Sequence, residues 1–294
     1  MTLTADLLLA QAQRQGLDRG EAAQLMLHAV GRATHDRAWL LAHGGDALKP
    51  DQADAFARFC ARRMDGEPVA YITGFQAFYG LSLAVGPGVL VPRPDTETLV
   101  DWALECMDAA TLATPMPYEV RVADWGTGSG AIALALQAQR PQAQVWALER
   151  SPVALAQAQA NAQRLGLNQV HWVLGDWHAH ADTGVGATEA VRLAGGLDVL
   201  VSNPPYIEIQ DPHVPALRHE PQEALVSGVD GLVDIRRIID SAPDWVKPGG
   251  WLLLEHGWNQ GPAVRDLFER AGWLSVSQRR DLAGHWRCTG AMRP

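Results

Sequence analysis

The chain has 294 residues, 47% of them hydrophobic and 19% charged, which fits a folded protein of about two domains and excludes wholesale disorder. Its 24 Lys and Arg against 33 Asp and Glu leave a formal net charge of −9. That argues against a protein whose affinity comes mainly from neutralising nucleic-acid phosphates.

At the N-terminus, Leu7–Ala10 is a short apolar run with no basic residue before it, which is not a signal peptide. Nowhere do about 18 apolar residues run together, so no membrane span and a cytoplasmic location are expected. The first 65 or so residues read as three to four short helices. Ala53, Phe56, Cys60 and Met64 recur at helical spacing after the start signal Lys49-Pro50-Asp51, and Leu25, Met26 and Val30 do so earlier. This predicts a small helical domain over residues 1–66, closed by Asp65-Gly66. Residues 67–98 read as a linker, with a hairpin expected over Phe78–Val91 before Val91-Pro92-Arg93-Pro94-Asp95-Thr96-Glu97. Helix is then expected over Thr98–Met107, in a third segment spanning residues 99–294.

From Glu119 onward strand and helix alternate. Strands are predicted at Val120–Ala123, Gln144–Leu148, Val170–Leu174, Leu197–Ser202 and Trp251–His256, with helices at Ala131–Ala138 and Pro152–Leu165. That order implies an α/β fold, a parallel sheet covered by helices on both faces. Residues 181–196 are rich in Gly, Ala and Thr and read as a surface loop with a short helix. Cys60, Cys106 and Cys288 form no C-x-x-C pair, so neither a disulfide framework nor a zinc finger is expected. His178 and His180 lack apparent further ligands, and no metal is expected.

The first strand runs into Asp124-Trp125-Gly126-Thr127-Gly128-Ser129-Gly130 at the start of a helix. Glycines there allow a tight turn and close approach of a ligand to the backbone. Glu149 ends the next strand, nineteen positions after Gly130. A carboxylate at that place can accept both hydroxyl protons of a ribose. The loop reads G-x-G-x-G rather than the dinucleotide G-x-G-x-x-G, and Asp124 would place negative charge where a pyrophosphate must lie. It suits a cationic ligand end instead, which favours S-adenosylmethionine over NAD. Asp176 could accept from the adenine amino group, and Trp177 could pack on the adenine or its ribose.

Asn203-Pro204-Pro205-Tyr206 follows the Leu197–Ser202 strand directly, so it should face the glycine loop at the carboxyl edge of the sheet. The residue types suit a planar, conjugated amino group, whose delocalised lone pair makes it a poor nucleophile. The Asn203 side-chain oxygen and the Pro204 carbonyl can accept its two protons. Consecutive prolines stiffen the loop and remove donors from it. Tyr206 can stack on the flat target. Catalysis is then mainly the in-line placement of nitrogen, carbon and sulfur.

These motifs resemble the class I, S-adenosylmethionine-dependent methyltransferases that act on planar amino groups, a Rossmann-like fold. The closer resemblance is to the protein-glutamine methyltransferases of peptide chain release factors, the PrmC or HemK family. It runs from Glu67-Pro68-Val69-Ala70-Tyr71-Ile72-Thr73-Gly74 through Val91–Glu97, Asp124–Gly130, Asn203–Tyr206, Glu220-Pro221 with Ala224-Leu225, to Pro248-Gly249-Gly250. The family also carries a small N-terminal helical domain, taken to bind substrate. The resemblance implies methyl transfer to the side-chain amide of the glutamine in a release factor's Gly-Gly-Gln motif, with S-adenosylhomocysteine as product. It implies cofactor contacts from Asp124, Gly126, Thr127, Gly128, Ser129, Gly130, Glu149, Asp176, Trp177 and Asn203. The glutamine would be held by Asn203, Pro204, Pro205 and Tyr206. A monomer without nucleic-acid or membrane partners is expected. Glu149 stands where the family usually has Asp, and Trp125 where a smaller aliphatic residue is usual.

Two other substrates present similar groups to Asn-Pro-Pro-Tyr. A sister family methylates a glutamine of a ribosomal protein, but its linker reads Pro-Arg-Ser-Pro. An adenine-N6 DNA methyltransferase would need a target-reading domain and a basic groove, to which only Arg62-Arg63 or Arg279-Arg280 could contribute. A binding module that has lost activity is the third alternative, against which the intact Asp124, Gly126, Gly128, Glu149 and Asn203 argue.

Overall fold

Helix starts in the first part of the chain are written in side chains that accept backbone protons. The computed structural model describes residues 3–113, 118–176 and 196–294. In α1 (Ala5–Arg14) the Thr4 hydroxyl accepts from the Leu7 amide. In α2 (Arg19–Ala29) Asp18 accepts from the Gly20 and Glu21 amides at 2.7 and 3.0 Å. In α3 (Arg37–His43) Asp36 accepts from Trp39. Such caps each stabilise a helix by about 1 kcal/mol. Then α4 (Pro50–Met64) begins on Pro50 as expected and buries Ala53, Phe56 and Cys60. Met64, expected on the same face, is exposed. With α5 (Val69–Thr73), these helices close over Leu25, Met26 and Leu27, which are fully buried.

The chain divides into two compact units: Met1–Phe75 with Ala216–His219, and Gln76–Pro215 with Glu220–Pro294. The expected linker over 67–98 is therefore split between them. Its hairpin also starts earlier than the alternation suggested, as β1 (Phe75–Phe78) and β2 (Leu81–Ala84). The turn is Tyr79-Gly80, with φ of 48° and 76°. Tyr79 is held in that left-handed conformation from both ends. Its amide donates to Glu97 at 2.8 Å and its hydroxyl to Asp101 at 2.6 Å. Residues 85–91 are not strand. The Val91 amide goes to the Glu220 carboxylate rather than to a ladder partner.

In the second unit a seven-stranded sheet has the order β5-β4-β3-β6-β7-β9-β8. The strands are β3 (Arg121–Trp125), β4 (Gln144–Glu149), β5 (His171–Leu174), β6 (Leu197–Ser202), β7 (Val246–Glu255), β8 (Leu274–Arg280) and β9 (Trp286–Met292). The run from β5 to β7 is parallel, as expected. The sheet is mostly parallel rather than parallel throughout: β9 pairs antiparallel with both β7 and β8. Those two strands escape sequence reading because β8 is polar at most positions and β9 buries small residues, Thr289, Gly290 and Ala291. The helices Val233–Ser241 and Gly261–Arg270 were likewise not anticipated.

Strand β6 is buried along its whole length and contributes to two cores, with an irregularity in its pairing between Leu197 and Val199. Val199 and Val201 pack with α6 (Glu97–Ala113) and α7 (Ala131–Gln139). Leu197 and Leu200 pack with the two C-terminal helices. Truncating such a residue, Leu200→Ala, costs about 2–5 kcal/mol. The hairpin joins the first of these cores through Phe78 and Leu83. Asn161 of α8 (Pro152–Leu165) also clamps it: the side chain accepts from the Ala84 amide at 2.7 Å and donates to the Ala84 and Ser129 carbonyls. Trp102 and Trp273 are core residues, and Trp251 packs half-buried against the core.

Among the described residues, Cys60, Cys106 and Cys288 are buried and free, and no helix is long and apolar enough to cross a membrane. No His, Cys, Asp or Glu group there could hold a metal ion. Trp177, His178, His180 and residues 181–195 of the expected surface loop lie outside the described residues.

Candidate active site

The sheet reverses its order between β3 and β6, and a cleft opens at their carboxyl ends, where ligands of doubly wound folds sit. The cleft encloses about 840 Å³, part of it open to solvent. Gly126, Thr127, Gly128, Ser129 and Glu149 form one wall, and Asn203 and Pro205 stand in the other. The Ser202 hydroxyl, donating to the Trp125 carbonyl at 2.6 Å, ties the two strand ends together.

The glycine-loop wall is shaped largely by the backbone. The Gly126 and Thr127 amides both donate to the Leu148 carbonyl, which folds the loop over the end of β4. Gly128 has φ of 57°, and nothing would meet a Cβ there within 4 Å, so its backbone edge stands open. Glu149 is buried, with Oε2 accepting from the Gly128 amide at 2.9 Å and Oε1 from the Ser151 amide at 2.8 Å. Each oxygen keeps a free acceptor direction. The longer side chain at this position is thereby held in one place.

Asp124 is fully buried below the loop. Its Oδ2 accepts from the Thr127 hydroxyl at 2.6 Å and from the Ala133 amide at 3.2 Å, while Oδ1 has no partner. Burial pushes its carboxyl up to about 7. The Trp125 ring turns into the core and meets Trp245 edge-on, which explains how the larger residue is housed. Asp176 is half-buried and does not figure among the residues lining the cleft.

The opposite wall is assembled from distant segments. The Asn203 side-chain nitrogen donates to the Thr96 hydroxyl at 3.2 Å. Pro204 and Pro205 are buried. The Tyr206 and Ile207 amides both donate to the Leu225 carbonyl, and the Gln260 side chain donates to the Tyr206 carbonyl at 3.0 Å. A Cβ at Gly231 would overlap that same carbonyl oxygen, so the chain passes there only as glycine. Tyr206 is half-buried, and its hydroxyl donates to Glu255 at 3.3 Å. Neither Pro204 nor Tyr206 is among the lining residues.

The Val91–Glu97 segment is wired into this wall. Arg93 donates to Glu220 at 2.5 Å, Asp95 pairs with Arg287 at 3.1 Å, and Pro92, Arg93 and Thr96 line the cleft. Sequence reasoning left Glu220 without a role and missed Glu255 and Arg287. Glu255 ends β7 fully buried, and burial pushes its carboxyl up to about 7. A signal was present: Glu255, like Glu149, is an acidic residue closing an apolar strand at the edge where ligands bind. Each arginine of the two basic pairs has a partner of its own. Arg62 pairs with Glu67, Arg63 with Glu21, Arg279 with Glu105, and Arg280 lies over Trp286.

Comparison with known proteins agrees with this architecture. Residues 4–74 match the PrmC N-terminal domain and residues 118–276 a methyltransferase domain. The chain is 44% identical over 292 residues to the release factor glutamine methyltransferase of Bordetella pertussis, covering 99% of each. It is 40% identical over 284 residues to the Escherichia coli protein of the same name, covering 96% of this chain and 94% of that one. The hMettl16 catalytic domain, solved in complex with MAT2A 3'UTR hairpin 6, superposes with a TM-score of 0.54 at 14% identity over 83% of this chain and 82% of that one, a likeness of fold alone. The second unit thus has the class I methyltransferase fold, which implies use of S-adenosylmethionine. By its end-to-end similarity to these relatives, the chain belongs to the release factor glutamine methyltransferase family.

Proposed function

We propose that this protein methylates the side-chain amide nitrogen of the glutamine in the Gly-Gly-Gln motif of peptide chain release factors. The observation that carries the reading is that one cleft is lined both by Gly126–Ser129 with Glu149 and by Asn203 and Pro205 of the Asn203-Pro204-Pro205-Tyr206 turn.

The donor set fits S-adenosylmethionine, which supplies an electrophilic methyl on a sulfonium. The two Glu149 oxygens have acceptor capacity for the ribose hydroxyls. The open edge at Gly128 admits the cofactor close to the backbone. The partnerless Asp124 Oδ1 provides negative character at the loop and none of the donors a pyrophosphate needs. Asp176 and Trp177 complete the cofactor set in this reading. The Asn203 side-chain oxygen and the Pro204 carbonyl accept the two amide protons of the glutamine, which turns its nitrogen toward the methyl. Pro205 walls the acceptor, and Tyr206 sets the turn through its hydroxyl. No base is needed before attack, because the nitrogen sheds its proton as it gains the methyl. The rate comes chiefly from placement. The helical unit, residues 1–66 in the sequence reading, contributes to substrate binding, and the enzyme acts as a cytoplasmic monomer without metal.

The reading is tested by incubating the protein with methyl-labelled S-adenosylmethionine, offering release factor and adenine-containing DNA in parallel. Label on the release factor, lost when its Gly-Gly-Gln glutamine is replaced, is the expected result. Label on DNA alone would overturn the substrate assignment.

A further inference from the structure

Proline has no N–H, so after Asn203 the turn has no backbone donor until Tyr206. Backbone bonds that hold the turn must therefore act at that exit. We propose that Gln260 is a positioning residue for methyl transfer: it holds the Tyr206 carbonyl, and through it the Asn203 oxygen and Pro204 carbonyl that take the substrate amide. This inference rests on the glutamine-methylation reading.

Gln260 stands just before the helix Gly261–Arg270 and is 8% exposed. Its side-chain amide is fixed at both ends by backbone groups of opposite sign. Oε1 accepts from the Gly257 amide at 2.8 Å, and Nε2 donates to the Tyr206 carbonyl at 3.0 Å. A backbone N–H can only donate and a carbonyl can only accept, so the reversed side chain would satisfy neither. The Gln260 backbone closes the same turn. Its N–H donates to the Gly257 carbonyl at 2.9 Å, and its carbonyl accepts from the Val264 amide at 3.0 Å. The anchor is thereby built into the junction between β7 and the helix. On the Tyr206 side, the Tyr206 and Ile207 amides go to the Leu225 carbonyl at 3.2 and 2.9 Å. The peptide unit that follows Tyr206 is therefore held at both its oxygen and its N–H. Gly231 closes over the contact: a Cβ there would overlap the carbonyl oxygen and stand 2.7 Å from Gln260 Nε2. Between this anchor and Asn203 lie two prolines, each with φ fixed near about −65° by its ring. A shift at Tyr206 is passed back along them with little slack. Gln260 is not among the residues lining the cleft, so it acts through the turn.

The test uses the full chain with labelled S-adenosylmethionine and a release factor, and kcat is counted per cofactor-binding site from calorimetric stoichiometry. Gln260→Met keeps the length of the side chain and removes both hydrogen bonds. It is expected to lower kcat about tenfold to a hundredfold, the scale of a misplaced reacting group. KM for the release factor and the calorimetric Kd for the cofactor should stay within about twofold, the pattern of a contact that matters in the transition state. Gln260→Glu keeps the acceptor for Gly257. Burial and the facing Tyr206 carbonyl favour its protonated carboxyl, which can donate in place of the NH2. At pH 6 it should regain most of the wild-type kcat measured at that pH, and lose it again as pH rises and the carboxyl ionises. A Gln260→Met enzyme with wild-type kcat would overturn the positioning role. So would a Gln260→Glu enzyme as slow as Gln260→Met at pH 6, since packing alone would then explain the loss. A loss carried by KM or by the cofactor Kd, with kcat intact, overturns it too. Should Gln260→Met not fold, Gln260→Asn decides, because it keeps the amide and shortens its reach by about 1.5 Å; an undiminished kcat there overturns the role. Failure of the wild-type protein to label release factor at all is a separate result, and it overturns the glutamine reading and this inference with it.

Discussion

The two walls of the cleft are built on different plans. The glycine-loop wall comes from one stretch of chain, Asp124 to Ser151, and its polar groups are largely backbone amides and the carboxylates that fix them. The Asn203 wall joins groups as far apart as the Thr96 and Asn203 side chains, 107 positions, and the Val91 amide and Glu220 carboxylate, 129 positions. A wall of backbone groups holds a ligand in the same way whether or not it reacts. A wall of oriented side chains can discriminate the reacting geometry. The first should therefore govern cofactor affinity and the second turnover.

The largest expected effect tests the second half of that contrast. Asn203→Ala removes the acceptor proposed for the substrate amide, and turnover should fall by roughly 10²–10³ or more, the cost of losing one preorganised polar group. Cofactor affinity measured by calorimetry should stay within a few-fold, although Asn203 lines the same cleft as the glycine loop. Retained methyl transfer would remove Asn203 from the reaction.

The same contrast explains what could be read from sequence. Strand, glycine turn, helix and closing acidic residue are local, so Asp124–Gly130 and Glu149 are legible, as are β6 and α8 to the residue. Asn203–Tyr206 is legible as a motif because prolines after an apolar strand are distinctive. Its supports are not, because nothing near Thr96 or Glu255 in sequence says that the first meets Asn203 and the second Tyr206. The hairpin was misplaced for a similar reason: Val91 alternates like a strand residue, but its amide belongs to a carboxylate far along the chain. The edge strands β8 and β9 lack the apolar alternation on which strand reading depends.

On the glycine-loop wall, Glu149→Ala leaves the Gly128 and Ser151 amides without their acceptor and deletes the proposed ribose contact. Two hydrogen bonds to a charged group correspond to an affinity loss of roughly a hundredfold or more. The turnover number at saturating cofactor should change little. A titration showing unaltered affinity would remove Glu149 from the cofactor wall.

Asp124 gives a smaller effect with a defined sign. Its carboxyl lies at about 7 because burial disfavours the charge, with nearby Glu149 acting in the same sense. It is mostly neutral at pH 6 and mostly ionised at pH 8. If the ionised form faces a cationic ligand end, cofactor affinity should rise across that range by up to about tenfold, one pKa unit on either side of the midpoint. Asp124→Asn should flatten the rise. Stability runs the other way. The folded form holds a proton that the unfolded chain loses near 3.8, so Asp124 costs stability increasingly as pH climbs from about 4 through 7. Calorimetry at pH 6, 7 and 8 on both proteins decides the matter, and an identical slope in the variant would exclude Asp124 as its source.

The smallest effect is the sharpest test of whether the walls are separate. Glu220 has a side chain only 2% exposed, and it accepts from both the Val91 amide and Arg93. It thereby pins the Pro92–Arg93 edge of the cleft from the Asn203 side. Glu220→Gln keeps one acceptor oxygen, so one of the two donors loses its partner. Arg93 is 35% exposed, and water can serve it, which limits the cost. A fall in Tm of a few degrees is expected, about what 1 kcal/mol produces in a unit of this size. Turnover should drop about two- to fivefold as the edge loosens, a fraction of the loss from a fully misplaced group. Cofactor affinity should hold, because Glu220 makes no hydrogen bond to the glycine loop. Yet Pro92 and Arg93 line the same cleft as Gly126–Ser129. A tenfold loss of cofactor affinity in Glu220→Gln, with Tm unchanged, would mean that the latch shapes the cofactor's own space. The division of labour between the two walls would then fail at this edge.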